Sequence, residues 1–254
     1  MNEQKFDKKG KIYAKARPGY PRELFEYLIE NNIISKDSTV ADIGSGTGLF
    51  TMRLSPLVGK IFAVEPNSDM RRVAEEKYKE YDNIISIKGT AENTSLGEKS
   101  VDFVTVAQAF HWFDRQSFKT ECQRILKPGS KILLVWNDRD TSSELIKENY
   151  EINRRFCPDF KGSSNGIDFD REAFTDFFEG DFEVVNFRND LIYNLDAFVA
   201  RCLSSSYAPK QGDTSYEPYV RALEELFGRY ETDGTVPYPY ITRCYIGNVQ
   251  QPNT

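Results

Sequence analysis

Three glycines within five residues, Gly44, Gly46 and Gly48, follow a short apolar run at residues 39–43 and precede a helix-forming stretch at residues 49–54. Small apolar residues in an unbroken run are typical of a buried parallel strand. Glycine permits the left-handed backbone and the close ligand approach that such a loop needs. Because the first N–H groups of a helix are unpaired, they would face whatever the loop holds. The sequence therefore predicts a strand, a ligand-binding loop and a helix in succession.

The spacing of these glycines separates the loop from two common nucleotide-binding motifs. Dinucleotide-binding loops follow G-x-G-x-x-G, whereas the third glycine here comes one residue earlier, and no Lys-Ser or Lys-Thr follows as a P-loop requires. A second apolar run, residues 60–64, ends in Glu65. An acid about 20 residues past such a loop can accept hydrogen bonds from both hydroxyls of a ribose. These features favour S-adenosylmethionine (SAM) over NAD as the ligand.

The remaining chain alternates between strand and helix patterns, which predicts a parallel sheet with right-handed crossovers. Apolar and β-branched runs predict further strands at residues 84–87, 101–106, 131–136, 182–187 and 239–246. Helical spacing and capping residues predict helices that begin near Pro21, Asn67 and Asp114, and helices at residues 141–156, 171–178, 195–203 and 216–230. The helix after Asp114 is expected to end at Leu126-Lys127-Pro128-Gly129.

Five motifs occur in one order along the chain. They are Asp42-Ile43-Gly44-Ser45-Gly46-Thr47-Gly48, Glu65-Pro66-Asn67, Gly89-Thr90-Ala91-Glu92, Ala109-Phe110-His111-Trp112-Phe113 and Leu126-Lys127-Pro128-Gly129. Over residues 10–136 the chain thereby resembles the class I SAM-dependent methyltransferases of the small-molecule type, which include trans-aconitate and ubiquinone-biosynthesis methyltransferases. The resemblance implies an α/β, Rossmann-like sheet of seven mostly parallel strands, with an antiparallel last strand and helices on both faces. It also implies one domain over residues 1–254, with an N-terminal lid at residues 1–20 and substrate-covering helices at residues 137–180 and 195–230.

The same resemblance implies a set of cofactor-binding residues. They are Tyr13, Arg17, Asp42, Gly44, Ser45, Gly46, Glu65, Asn67, Met70, Ala91, Glu92, Gln108 and Phe110. Arg17 would face the methionine carboxylate, which a guanidinium can hold in a bidentate fork. Met70 and the loop with Ala91 would lie near the adenine. A solvated N-terminal arm, a core methionine and a plain strand-end loop are the alternative interpretations of these segments.

His111 is the single histidine and follows a predicted strand end, where ligands of open α/β sheets bind. Its usual pKa suits acid–base chemistry near neutral pH, so it is the candidate catalytic residue. The alternative is that His111 only packs beside Trp112. The sulfonium of SAM is already an activated leaving group, so orientation and proximity supply much of the rate, and a base is needed only when the acceptor must lose a proton.

Composition argues against several kinds of partner. A net charge of −6 argues against binding to a nucleic-acid backbone, which needs a basic face. One histidine and four widely separated cysteines without a C-x-x-C pair predict no metal site and reduced thiols. Because the chain shows neither a signal peptide nor an apolar run of about 18 residues, we expect a cytoplasmic protein without a membrane span.

The leading interpretation is methyl transfer from SAM to a small-molecule acceptor. Two alternatives stay open at this point. One is a SAM-binding protein without turnover, because methyl transfer does not require a catalytic side chain, and the other is an NAD-dependent oxidoreductase. The sequence identifies neither the acceptor nor the oligomeric state.

Overall fold

The computed structural model describes residues 19–162 and 171–249. The α-helices of these residues are α1 (Arg22–Glu30), α2 (Leu49–Leu54), α3 (Ser68–Tyr78), α4 (Arg115–Ile125), α5 (Glu144–Phe156), α6 (Arg171–Phe178), α7 (Leu195–Leu203) and α8 (Tyr216–Tyr230). The strands are β1 (Thr39–Ile43), β2 (Lys60–Val64), β3 (Ile84–Ile87), β4 (Val101–Ala107), β5 (Leu126–Arg139), β6 (Phe182–Arg188), β7 (Leu191–Tyr193), β8 (Val236–Tyr238) and β9 (Tyr240–Gly247).

Seven strands form one sheet in the order β3-β2-β1-β4-β5-β9-β6. The pairs β2–β3, β1–β2, β1–β4 and β4–β5 are parallel, and the sheet as a whole is mixed, with one antiparallel strand. The chain builds outward from β1 to β3 and then returns to place β4 on the other side of β1. Ligands of open α/β sheets bind outside the carboxyl ends of the strands at such a reversal. The predicted fold class is therefore confirmed.

Alternating side chains along the central strands supply two separate hydrophobic cores, one on each face of the sheet, because successive residues of a strand point to opposite faces. Ala41, Val104 and Leu134 belong to one cluster with residues of α4 and α6. Their neighbours Val40, Phe103 and Leu133 belong to the other, with residues of α1 and α2. The helices thus cover both faces of the sheet.

The chain divides into two compact units. Unit 1 contains residues 1–136, 169–187 and 242–254, and unit 2 contains residues 137–168 and 188–241. Unit 2 has a core of its own, built from residues of α5, α7 and α8 and from the two-stranded antiparallel sheet of β7 and β8. Most of unit 2 falls in the two segments predicted to cover the substrate. That role, and the single-domain prediction, remain predictions.

Most predicted elements occur at the expected places, and the clearest differences lie at the start of β5 and at the start of α5. The predicted helices at residues 171–178, 195–203 and 216–230 have the predicted bounds. The helix before Leu126, however, ends at Ile125, and β5 begins directly at Leu126, because Val101 of β4 pairs with it before the register shifts. Helix α5 begins at Glu144 rather than residue 141, since residues 140–143 form a turn in which Ser143 N donates to Asp140 O at 3.1 Å.

All four cysteines are buried thiols: Cys122 and Cys244 in unit 1, and Cys157 and Cys202 in unit 2. Burial raises the pKa of each, and raises that of Cys157 to about 11. Within residues 19–162 and 171–249, no helix is both long enough and apolar enough to cross a membrane.

Candidate functional site

The candidate site lies at the carboxyl ends of β1, β2 and β4, where the sheet order reverses. β1 and β2 run in register, with Ile43 opposite Val64, so the loop after Ile43 and the acid after Val64 begin at the same level. β4 ends at Ala107 on the other side of β1. Three sequence-distant segments therefore meet at one edge.

The glycine loop is held to β2 by its own backbone. Val64 O accepts hydrogen bonds from Gly44 N at 2.8 Å and from Ser45 N at 3.1 Å. On the other side, Lys77 Nζ donates to Thr47 O at 2.9 Å. Because both ends of the loop are fixed, its remaining N–H groups keep a defined direction.

The three loop glycines all have positive φ, yet they differ in what a side chain would meet. A Cβ on Gly44 would lie 2.7 Å from Ala109 Cβ, and one on Gly48 would lie 2.6 Å from the Tyr78 ring. Among the residues that the structure describes, and apart from its two chain neighbours, a Cβ on Gly46 would meet nothing nearer than Gly44 O at 4.0 Å. Gly44 and Gly48 are thus required by packing, whereas Gly46 borders open space.

Glu65 is buried, with 7% of its surface exposed, and is held by two backbone donors. Its Oε2 accepts from Gly46 N at 2.8 Å and its Oε1 accepts from Asn67 N at 2.8 Å. Burial raises the pKa of Glu65, and these two N–H groups oppose the rise. Each carboxylate oxygen can accept a further hydrogen bond. Glu65 therefore ties the glycine loop to the end of β2 and retains acceptor capacity for a ligand.

Asp42, the last polar residue of β1, is fully buried beneath the loop. Its Oδ2 accepts from Thr51 Oγ1 at 2.5 Å, and its Oδ1 accepts from Thr105 Oγ1 at 2.9 Å. Tyr78 Oη donates to Thr51 Oγ1 at 3.1 Å. Burial raises the pKa of Asp42 to about 6, and the two threonine hydroxyls oppose the rise.

The raised pKa of Asp42 makes stability depend on pH. Between its unfolded value of 3.8 and about 6, the folded state binds the proton more tightly than the unfolded state does. Ionisation of Asp42 therefore lowers the free energy of unfolding as pH rises through this window, by about 3 kcal/mol in all. In Asp42→Asn we expect this loss to disappear, so that the variant gains stability relative to wild type between pH 4 and pH 7.

Urea unfolding at each pH measures the effect. The exposed variant Asp37→Asn is the control and should follow the wild-type curve. If the free energies of unfolding of Asp42→Asn and wild type differed by a constant amount from pH 4 to pH 7, the raised pKa of Asp42 would be contradicted.

The helix after Glu65 is capped by a predicted site residue. Asn67 Oδ1 accepts from Met70 N at 3.0 Å, which is the N-cap arrangement of α3. Met70 itself is 4% exposed. In the loop after β3, Ala91 is buried, and Glu92 Oε1 accepts from Asp114 N at 3.1 Å.

The segment after β4 begins with a strained backbone. Gln108 has φ +60°, although it is not glycine, and its N–H donates to Val135 O at 2.9 Å. Strained residues of this kind persist only where the surrounding structure holds them in place, and they are concentrated at ligand-binding and catalytic sites. His111 is partly buried in the short turn that follows, with its ring 4.7 Å from that of Trp112. Phe110 is 1% exposed, and its ring stacks on that of Phe174. Only the backbone of Phe110 could therefore contact a cofactor.

Strain at Gln108 gives a second prediction. A left-handed residue other than glycine costs about 1–2 kcal/mol, so Gln108→Gly should unfold no more easily than wild type while binding SAM more weakly. The control is Lys99→Gly, which relieves a similar φ of +47° at an exposed position. Calorimetry and urea unfolding of both variants test this. Equal SAM affinity in the two variants would leave Gln108 as a structural residue only.

The structure brings together the predicted residues of the loop, β1 and β2 through direct contacts. Tyr13 and Arg17 lie outside the described residues and remain predictions, as do the cofactor roles of the others. Sequence reasoning missed Thr51, Thr105 and Tyr78, which surround Asp42. The sequence carried two signals of this network. Thr105 places a hydroxyl within the apolar run of β4, and Thr51 places another on the apolar face of α2.

The chain is similar to known proteins over much of its length. Residues 41–134 match the family described as a methyltransferase domain. The chain is 31% identical to an uncharacterized methyltransferase of Mycobacterium bovis over 233 residues. The match covers 91% of this chain and 90% of that protein. An uncharacterized methyltransferase-like protein of Schizosaccharomyces pombe is 35% identical over 148 residues, covering 58% of this chain and 57% of that protein.

Solved structures agree on the fold. A protein assigned as a type II methyltransferase from Anaeromyxobacter dehalogenans has a TM-score of 0.68 at 21% identity, covering 92% of this chain and 98% of that chain. The YcgJ protein of Bacillus subtilis has a TM-score of 0.55 at 20% identity, covering 90% of this chain and 99% of that chain.

The strand order, the glycine loop after β1 and the acid after β2 define the class I methyltransferase architecture. This chain belongs to the methyltransferase family. Membership implies SAM as the methyl donor.

Proposed function

We propose that the chain binds SAM at the carboxyl edge of β1, β2 and β4 and transfers its methyl group to a small organic acceptor. The observation that supports this proposal most strongly is the position of the Glu65 carboxylate. This carboxylate is fixed by Gly46 N and Asn67 N at 2.8 Å each, directly beside the open space in front of Gly46. A buried acceptor group next to a side-chain-free surface fits a ribose joined to a slender chain.

The residues present fit SAM in charge as well as shape. Glu65 would accept hydrogen bonds from the ribose hydroxyls, and the backbone at Gly46 would lie against the methionine portion without a Cβ in the way. Met70 and Ala91 would border the adenine. When bound, SAM supplies a methyl group on an already activated sulfonium, so the protein mainly has to orient the acceptor and exclude water.

His111 is the residue we propose as general base, for an acceptor that must lose a proton. It follows the end of β4, within the turn Phe110–Trp112. Its usual pKa lies near neutral pH, where a positioned side chain transfers protons efficiently. An acceptor that is already nucleophilic would need no such group, and the role of His111 then reduces to packing beside Trp112.

Calorimetric titration with SAM, S-adenosylhomocysteine and NAD tests the proposal. We expect the first two to bind and NAD to bind far more weakly. Incubation with methyl-labelled SAM and a pool of small metabolites should then transfer label to a small molecule. NAD binding tighter than SAM binding would contradict the assignment, and SAM binding without any transfer would favour a SAM-binding protein without turnover.

A further inference from the structure

Unit 2 contains two partly buried arginines that are held by tyrosines. Arg139, the last residue of β5, donates from Nη1 to Tyr207 Oη at 3.1 Å, and its guanidinium lies 5.8 Å from the centre of the Tyr150 ring. Arg201 of α7 donates from Nε to Tyr240 Oη at 3.1 Å. These neutral partners fix the direction of both guanidinium groups and leave their charge uncompensated.

Neither arginine forms an ion pair with a carboxylate in the part of the chain that the structure describes. The two also lie within electrostatic reach of each other. Burial and the positive charge of Arg139 lower the pKa of Arg201, although Tyr240 and Tyr238 make the net shift upward. Two like charges held away from bulk water repel, so an anion that joined them would relieve this repulsion.

A buried hydroxyl points to the same place. Tyr150 is 9% exposed, and among residues 19–162 and 171–249 its Oη has no partner at hydrogen-bonding distance and angle, although the charges of Arg139 and Asp138 act on it from nearby. Burial raises the pKa of Tyr150, and the neighbouring Arg139 opposes the rise. Buried polar groups are nearly always paired, so a lone hydroxyl beside an uncompensated guanidinium suggests a missing acceptor.

The polar network beside this cluster is, by contrast, complete. Tyr219 Oη donates to Asn153 Oδ1 at 2.8 Å, and Tyr238 Oη donates to Asn149 Oδ1 at 3.1 Å. Asn149 Nδ2 approaches Cys202 Sγ at 3.7 Å. This neutral network satisfies its own members, so the unmet capacity is confined to the two arginines and Tyr150.

We propose that Arg139, Arg201 and Tyr150 form a recognition site for an oxyanion, a carboxylate or a phosphate carried by a small organic molecule. A guanidinium presents parallel N–H donors that match both groups, and the Tyr150 hydroxyl donates one more hydrogen bond. The anion site belongs to unit 2 alone. The identification of its ligand as the methyl acceptor rests on the proposed function, and it makes that acceptor an organic acid or a phosphate ester.

Calorimetric titration of the full chain, at constant ionic strength, tests the site with three probes. Glutarate represents carboxylates, inorganic phosphate represents phosphates, and glutaramide is the neutral analogue of glutarate. We expect at least one of the two anions to bind and glutaramide not to bind, and the tighter anion identifies the ligand class. Arg139→Gln and Arg201→Gln should each weaken that binding at least tenfold, whereas Arg221→Gln, at an exposed position of α8, should not change it.

Tyr150→Phe separates recognition from folding. Because no well-formed hydrogen bond to its hydroxyl is lost, the variant should be about as stable as wild type and yet bind the anion several-fold more weakly. Binding of glutaramide as tight as glutarate, or unchanged affinity in Arg139→Gln, would overturn the proposal, as would the absence of binding by both anions.

SAM titrated into the same samples distinguishes the two proposals. We expect SAM affinity to stay unchanged in Arg139→Gln. Wild-type protein that binds glutarate or phosphate but not SAM would contradict the proposed function and leave the anion site standing.

Discussion

Glu65→Ala is expected to weaken SAM binding by roughly 100- to 10,000-fold, because two charge-assisted hydrogen bonds of about 1.5–3 kcal/mol each are lost. The carboxylate is already fixed by Gly46 N and Asn67 N, so we expect the ligand to meet an acceptor that needs no reorganisation. Isothermal calorimetry with SAM measures the loss. Glu76→Ala, on the exposed side of α3, is the matched control and should bind SAM as wild type does.

Removal of Glu65 also frees two backbone donors, so stability and affinity must be separated. Glu65→Gln keeps the side-chain length and one strong acceptor, and it should lose less affinity than Glu65→Ala. Thermal unfolding of each variant without SAM reports any change in the loop. Unchanged SAM affinity in Glu65→Ala would show that Glu65 only ties the loop to β2.

Gly46→Val is expected to abolish measurable SAM binding while the protein still folds. The Cβ would enter the open space in front of the loop, since in the described part of the chain its nearest contact beyond the adjoining residues is Gly44 O at 4.0 Å. The backbone penalty of a positive φ, about 1–2 kcal/mol, should appear as reduced stability. Calorimetry and urea unfolding measure the two effects.

Gly129→Val is the matched control for this experiment. Gly129 has φ +78° and a Cβ there would meet nothing within 4 Å, so the variant experiences the same kind of backbone strain away from the loop. We expect it to lose similar stability and no SAM affinity. If Gly46→Val bound SAM as well as Gly129→Val, the glycine loop would be a structural turn.

Local patterns predicted the elements well where one signal governed them. The helices α7 and α8 have strong amphipathic spacing, and their predicted bounds agree with the structure. β5 differed because Pro128 and Gly129 were interpreted as a helix terminator, whereas the strand begins before them, where Leu126 pairs with Val101, and its regular pairing with β4 resumes at Lys131. The β7–β8 pair was missed because its strands are three residues long and join segments more than 40 residues apart.

In the candidate site, too, features with a local sequence signal were predicted, whereas contacts between distant segments were not. Gly44, Gly46 and Glu65 were predicted from spacing alone, and the structure joins the loop and the acid by direct hydrogen bonds. The partners of Asp42 could not be predicted in this way. Thr105 is 63 residues from Asp42 along the chain, so only the pairing of β1 with β4 brings its hydroxyl to the carboxylate.

The distribution of cysteines offers a way to watch the protein open. A thiol reacts with iodoacetamide only as an accessible thiolate, and burial suppresses both conditions. Because Cys122 and Cys244 lie in unit 1 and Cys157 and Cys202 in unit 2, each unit carries two native chemical probes. Pulsed alkylation followed by peptide mass spectrometry would therefore report separate opening rates for the two units, without any introduced label.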